Sequence, residues 1–232
     1  MPVEDALFAG GDGREMNEID FGLIETMRLD DRIVLLDRHI ARLKRSAEIF
    51  GIPFDEDLFR ARVASACTGV DSRMPHRIRA VVDTDGTSDI SIAPLSATDG
   101  PLRVAISATR VDRKDPFLYH KTTRRERYDR EWRAAQEAGI FELLYLNQDA
   151  MVTEGSRANI FVRSAEELLT PPVECGLLPG VYRSLVLETF PSAREVQLDE
   201  SHLRQADAVL VCNAVIGLKT VRLIDSTDEF SA

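Results

Sequence analysis

The sequence predicts an α+β or mixed α/β fold, in which strands come first and helices lie between them. Short apolar runs bounded by polar turns recur along the chain, as in FGLIETMRL and HRIRAVVD, and such runs are typical of strands. Other segments, such as DRHIARLKRSAEIFG, carry apolar residues at helical spacing. The segments do not follow a repeating strand–helix–strand order, which argues against a regular parallel array.

In the N-terminal half, two predicted helices lie among the strands. Asp37 can cap the first helix and Gly51 can end it. The second helix covers Asp57 to Ala66. Two of the strands form a hairpin around the turn TDGTS. The runs that predict strands in this half are FGLIETMRL, RIVLLD, HRIRAVVD, DISIA and PLRVAISATRV.

In the C-terminal half, a helix should cover Glu126 to Ala138, and Gly139 should end it. A further helix begins near Pro179 and Gly180. The runs that predict strands here are FELLYLN and VTEGSRANIFV, on either side of the turn NQDA, and the final run DAVLVCNAVIGLKTVRLI.

The polar, proline-broken segment DRKDP is the best candidate for a linker between domains. We therefore expect a small N-terminal α/β domain at residues 1–111, a linker at residues 112–118 and a larger C-terminal mixed α/β domain at residues 119–232. The length suits one large domain or two small ones.

Composition and charge exclude several classes of protein. A net charge of -10 argues against bulk nucleic-acid binding, which needs many cations to neutralise phosphates. The three cysteines, Cys67, Cys175 and Cys212, form no CxxC or zinc pattern, so we expect free thiols and no metal site. Nothing near Met1 resembles a signal peptide, and no apolar run is long enough for a membrane span. These observations predict a cytoplasmic protein that binds neither nucleic acid nor membrane.

A basic cluster surrounds Lys121 in the stretch DPFLYHKTTRRERYD, although the chain as a whole is acidic. Nearby cations lower the pKa of a lysine and so make its amine a better nucleophile. The cluster includes Arg124, Arg125 and Arg127, and composition alone favours a solvated start of a helix.

Three further features have both a functional and a purely structural interpretation. The stretch LLPGVYR places a helix start where unpaired backbone N–H groups can bind phosphate, but it also fits an ordinary helix start. Glu154, between apolar strand segments, is either the partner of a cationic group or a turn residue before Gly155. Arg42 is either one of a surface stripe of arginines or a phosphate ligand that turns inward.

Together and in order, five motifs resemble those of the class IV aminotransferases, the fold-type IV pyridoxal-phosphate enzymes. The motifs are HxxRL, HKTT, VTEGSRANIF, GLLPGVYRxxVLE and CNA, and the resemblance covers about residues 21–221. It implies that family's α+β architecture, pyridoxal 5′-phosphate as the cofactor, and a homodimer.

The resemblance also implies roles for single residues. Lys121 would hold the cofactor covalently and then move the proton of the substrate. Glu154 would pair with the nitrogen of the pyridine ring. Tyr182 stands where the family often has a small hydroxyl residue, so only its backbone amide is expected to contribute, and Tyr128 is a candidate partner for the phenolic oxygen. The expected phosphate contacts are Arg42, Val181, Tyr182, Asn213 and Ala214.

Within this family, LYHKTTRRxxYD and CNAV most resemble the aminodeoxychorismate lyases of folate-precursor synthesis. These convert 4-amino-4-deoxychorismate to 4-aminobenzoate and pyruvate. The alternatives are an aminotransferase for branched-chain or D-amino acids, and a non-catalytic binding protein on the same fold. The lyase substrate carries two carboxylates, for which Arg79 and Arg28 are the candidate contacts. The alternation in HRIRAVVD places Arg77 and Arg79 on one face of a strand.

Overall fold

The computed structural model describes residues 20–71, 73–96 and 100–225. The described residues form two compact units, in agreement with the predicted α+β class. The first unit holds residues 20–71 and 73–96 together with His120–Arg124. The second holds residues 100–119 and 125–225.

The first unit is a three-stranded antiparallel sheet with two helices on one face. Its strands run in the order β1-β2-β3, and α1 packs against β1 while α2 packs against β3. In β2, buried residues alternate with more exposed ones, because side chains alternate between the covered and the open face. The elements are β1 (Leu23–Leu29), α1 (Leu36–Phe50), α2 (Glu56–Ala66), β2 (His76–Val82) and β3 (Ser88–Pro94).

The start of α1 differs from the prediction. The run RIVLLD is not a strand: Ile33 makes one isolated bridge to Leu29, and the helix begins at Leu36. Asp37 is not the cap, since the capping position is held by Leu35, which adopts a left-handed backbone at φ 59°. The predicted end at Gly51 is confirmed, because Gly51 takes φ 66°.

The short segment His120–Arg124 runs beside β1, although it is distant in sequence. The N–H of Ile24 donates to the carbonyl of Lys121 at 2.7 Å, and the N–H of Thr123 donates to that of Gly22 at 2.8 Å. The backbone of Lys121 is therefore fixed to the edge of the three-stranded sheet.

The second unit contains an eight-stranded sheet in the order β10-β11-β4-β5-β6-β7-β8-β9. An additional pairing of β7 with β10 closes six of these strands into a ring. Every residue of β5 is buried, which explains its continuous apolar pattern. The elements are β4 (Arg103–Val111), α3 (Glu126–Glu137), β5 (Glu142–Asn147), β6 (Val152–Gly155), β7 (Asn159–Ser164), β8 (Glu167–Thr170), α4 (Val181–Thr189), β9 (Ala193–Glu195), α5 (Glu200–Gln205), β10 (Ala208–Asn213) and β11 (Gly217–Leu223).

Two further details differ from the prediction. The run VTEGSRANIFV forms two strands, β6 and β7, because residues 156–158 make a turn between them. The domain boundary was expected after residue 111, but β4 pairs with β5 and β11 and so belongs to the second unit. Among the described helices, none is long and apolar enough to cross a membrane.

Candidate active site

Lys121 lies in the first unit, next to a buried histidine. The Nδ1 of His120 is 2.9 Å from the hydroxyl of Ser46 on α1, and the ring packs edge-on against Phe50. Burial, together with the charge of Arg45, lowers the pKa of His120 to about 4. His120, the neighbour of Lys121 in the chain, is therefore neutral at pH 7.

Arg42 turns inward from α1, as its functional interpretation requires. Its Nε and Nη2 donate to the two oxygens of Glu25 at 2.8 and 2.7 Å, and the Nδ1 of His39 lies 2.6 Å from Glu25 Oε2. Burial raises the pKa of Glu25, but Arg42 and His39 outweigh it and hold the pKa at about 2. The guanidinium is thus oriented by an ionised carboxylate, and Arg42 does not belong to an exposed stripe.

Arg28 and Arg79 lie on the open face of the three-stranded sheet. Arg79 pairs with Thr26 and Arg28 with Arg77 in the β1–β2 register, so the three arginines share one face. The opposite face of β2 is buried, which confirms the predicted alternation. Arg28 also donates to both oxygens of Asp30, at 2.9 and 3.0 Å.

Glu154 lies in the second unit, in β6, directly across the ladder from Asn159 in β7. The amide of Asn159 donates to Glu154 Oε2 at 3.3 Å and to the carbonyl of Leu178 at 2.9 Å. The N–H of Leu178 donates to the same carboxylate oxygen at 3.2 Å. The carboxylate is therefore held by two donors, one on β7 and one on the loop before α4.

The start of α4 presents backbone N–H groups that the helix itself cannot pair. Gly180 is the capping residue and offers no side-chain cap, so the N–H groups of Val181 and Tyr182 suit an anion. The hydroxyl of Tyr182 points toward Gly217, at the end of the β10–β11 turn. The two segments expected to bind phosphate are thus neighbours.

Asn213 ends β10, and Ala214 begins the turn that leads into β11. The Oδ1 of Asn213 accepts hydrogen bonds from the N–H groups of Val215 and Ile216 at 2.9 and 3.0 Å, while its Nδ2 donates to the carbonyl of Arg157. The side chain of Asn213 therefore shapes the turn, which leaves the backbone as its means of binding a ligand.

Tyr128, on α3, has a buried hydroxyl for which the described residues provide no partner. Its ring packs edge-on against Tyr145 at 4.8 Å, and the Tyr145 hydroxyl donates to Glu131. Burial and the charge of Glu154 raise the pKa of Tyr128 well above its ordinary value, so it is a neutral donor. An unpaired buried hydroxyl of this kind is suited to a ligand oxygen.

Arg125 and Arg157 make contacts that hold the backbone near Glu154. Arg125 donates to the carbonyl of Ser156 at 2.8 Å and to Asp129 at 3.0 Å. The guanidinium of Arg157 lies over the ring of Trp132 at 3.5 Å. These contacts fasten the turn that follows Glu154 to α3.

The buried carboxyl group of Glu142 holds the turn at residues 156–158. Ser156 donates a hydrogen bond to Glu142, and burial raises the pKa of Glu142 to about 7. Sequence reasoning assigned no role to Glu142, Asn159 or Glu25. Asn159 lies inside the motif VTEGSRANIF and Glu25 inside the predicted strand FGLIETMRL, and these positions were the available signal.

Comparisons with known proteins agree with the fold and with these motifs. The family described as amino-transferase class IV matches residues 22–224. A protein of Thermotoga maritima named as a branched-chain-amino-acid aminotransferase is 26% identical, over 83% of this chain and 73% of its own length. A protein of Schizosaccharomyces pombe named as an aminodeoxychorismate lyase is 26% identical, over 83% of this chain and 85% of its own length.

A solved structure is also similar to this chain in sequence and in fold. A protein of Mesorhizobium loti named as an amino-acid aminotransferase is 32% identical and superposes with a TM-score of 0.82, over 88% of this chain and 100% of that one. The family match covers most of the chain and includes every motif identified above. The chain therefore belongs to the class IV aminotransferase family, whose members are enzymes that use pyridoxal phosphate.

Proposed function

We propose that this enzyme is a pyridoxal-phosphate-dependent lyase that converts 4-amino-4-deoxychorismate to 4-aminobenzoate and pyruvate. The observation that carries the proposal is the arginine face of the three-stranded sheet, formed by Arg28, Arg77 and Arg79. Like charges that stand directly opposite each other, as at Arg28 and Arg77, repel. Asp30 already pairs with Arg28, and added anions would give this face further compensation. A substrate with two carboxylates provides such compensation, whereas a branched-chain amino acid has one carboxylate and an apolar side chain.

The described residues fit the proposed cofactor. Arg42 provides a guanidinium held in one orientation, and the start of α4 provides unpaired N–H groups, both suited to a phosphate. The backbone of Asn213 and Ala214 would complete the phosphate site. The unpaired Tyr128 hydroxyl suits the phenolic oxygen, and Glu154 suits a protonated ring nitrogen.

In the proposed reaction, each of these residues would have its own role. The chemistry that the bound cofactor supplies is an electron sink for the charge that develops on the substrate carbon. Lys121 removes the proton from the carbon that bears nitrogen, and Glu154 keeps the ring nitrogen protonated. Arg28 and Arg79 bind the two substrate carboxylates. Lys121 then returns a proton to the departing enolpyruvyl group.

The overall reaction needs no second substrate, since the atoms of 4-amino-4-deoxychorismate equal those of 4-aminobenzoate plus pyruvate. An aminotransferase instead needs an amino donor and a keto acid. The likeness to the aminotransferase-named proteins of M. loti and T. maritima makes that activity the second candidate. We further propose that the enzyme is a cytoplasmic homodimer acting in folate-precursor synthesis.

The test is product formation from purified 4-amino-4-deoxychorismate without any keto acid. The proposal predicts equimolar pyruvate and 4-aminobenzoate. Arg28→Ala and Arg79→Ala should raise KM at least tenfold, whereas Arg73→Ala, an exposed arginine paired with Asp71, should leave KM unchanged. Turnover that occurs only with an amino donor and a keto acid would show that the enzyme is an aminotransferase.

A further inference from the structure

Asn159 links two parts of the proposed site within the second unit. It is almost fully buried and donates both to Glu154 and to the carbonyl of Leu178. We propose that Asn159 is the positioning residue that orients the Glu154 carboxylate toward a protonated ring nitrogen, and that position 180 is glycine to leave room for Asn159. This inference rests on the proposed function, because it assumes that Glu154 binds the ring nitrogen.

The hydrogen bonds of Glu154 support this role for Asn159. Glu154 Oε2 accepts one hydrogen bond from the amide of Asn159 and one from the N–H of Leu178. Two donors on different segments, at 3.3 and 3.2 Å, fix the rotation of the carboxylate about its own axis. The peptide of Leu178 is in turn held at its carbonyl by the same asparagine. Without Asn159, both the carboxylate and the loop that carries its second donor lose a restraint.

Gly180 provides independent support for the inference. A Cβ at this position would overlap with the Oδ1 of Asn159. Gly180 has φ -68°, which any residue can adopt, so backbone conformation does not explain the glycine. The side chain of Asn159 therefore explains it.

We propose no contact between Asn159 and the reacting atoms. Its loss should therefore act through Glu154 and through the loop at Leu178 that carries the second donor to Glu154. The probe must isolate the contact between Glu154 and the ring nitrogen. Pyridoxal phosphate and its 1-deaza analogue, in which a C–H group replaces the ring nitrogen, share the phosphate, the aldehyde and the phenolic oxygen. The ratio of their affinities for the cofactor-free protein cancels every contribution except that of the nitrogen.

The experiment measures this ratio by titration of the wild type and of Asn159→Ala, Gly180→Ala and Glu154→Gln. We expect wild-type protein to prefer pyridoxal phosphate, and Glu154→Gln to remove the preference. Asn159→Ala and Gly180→Ala should each lower the preference about tenfold, the loss expected for a hydrogen bond to a charged group. Thr170→Val is the matched control: it removes another buried hydrogen bond in the same unit, to the carbonyl of Ile160, and should keep the preference.

The double variant Asn159→Ala with Gly180→Ala gives a second readout. The new methyl group at position 180 would occupy the space that Asn159 vacates, so the double variant should resemble Asn159→Ala alone. Additive losses would contradict the assignment of Gly180. If Asn159→Ala does not fold, Gly180→Ala tests the same claim, because it displaces the side chain without removing it.

The variants distinguish a failure of the role proposed for Glu154 from a failure of the role proposed for Asn159. If Glu154→Gln retains the preference, the role proposed for Glu154 is wrong and the inference fails with it. If Glu154→Gln loses the preference while Asn159→Ala and Gly180→Ala keep it, the inference alone is overturned.

Discussion

The buried pair of Glu25 and Arg42 leads to a quantitative prediction about stability. Glu25→Gln keeps the size of the side chain but removes the charge that faces the buried guanidinium. The carboxyl has an ordinary pKa of 4.5 and about 2 in the folded protein. Since one pH unit corresponds to about 1.4 kcal/mol, Glu25 stabilises the fold by about 3 kcal/mol at neutral pH. The same magnitude is expected when one partner of a buried ion pair is removed.

The pH dependence of this stabilisation follows from the direction in which the pKa of Glu25 is shifted. A lowered pKa stabilises the folded state above pH 4.5, and this stabilisation is lost as the pH falls toward 2. Urea unfolding at several pH values should show Glu25→Gln about 3 kcal/mol less stable than wild type at pH 7, with the difference shrinking below pH 4.5. Asp71→Asn, which breaks an exposed ion pair in the same unit, should have little effect. If Glu25→Gln and the wild type were equally stable at pH 7, Glu25 would not stabilise the fold as predicted.

Three further predictions concern single residues. Tyr128→Phe removes a buried hydroxyl that lacks a hydrogen-bond partner among the described residues, so the free energy of unfolding of the cofactor-free protein in urea should rise by about 1 kcal/mol. The variant should also bind pyridoxal phosphate more weakly. A cofactor-free variant that is less stable than the wild type would contradict this. Burial raises the pKa of Glu142 from 4.5 to about 7, so the stabilisation by its protonated carboxyl is complete below pH 4.5 and is lost as the pH rises through 7. Glu142→Gln should therefore gain stability relative to the wild type over this range. A stability difference between variant and wild type that stays constant with pH would contradict this. Gly51→Ala should lower the free energy of unfolding by about 1 kcal/mol, because Gly51 has φ 66° in open space, and an unchanged urea midpoint would show that this conformation is not needed.

Local patterns in the sequence predicted most of the elements. Periodicity gave the helices near residues 36–50 and 126–137, and the turn TDGTS gave the hairpin of β2 and β3. The run RIVLLD misled because four apolar residues in a row fit a strand and a helix start equally well. The capping position went to Leu35 in a left-handed conformation, which no residue preference indicates.

Long-range pairing was not readable from the sequence. The strand β4 joins β5 and β11 through hydrogen bonds between segments far apart in the chain, so the proline-broken linker did not mark the boundary. The segment at Lys121 lies along β1 for the same reason. Order along the chain gave the candidate residues, but the partners that orient them, Glu25 for Arg42 and Asn159 for Glu154, became visible only in the structure.

The lysine that carries the cofactor shows whether the active site is assigned correctly. The protein would be incubated with pyridoxal phosphate, reduced with borohydride, digested, and searched by mass spectrometry for the modified lysine. We expect the label on Lys121 and a colourless, unlabelled Lys121→Ala variant. A label on Lys44, Lys114 or Lys219, or an equal label in the variant, would contradict the assignment of the active site.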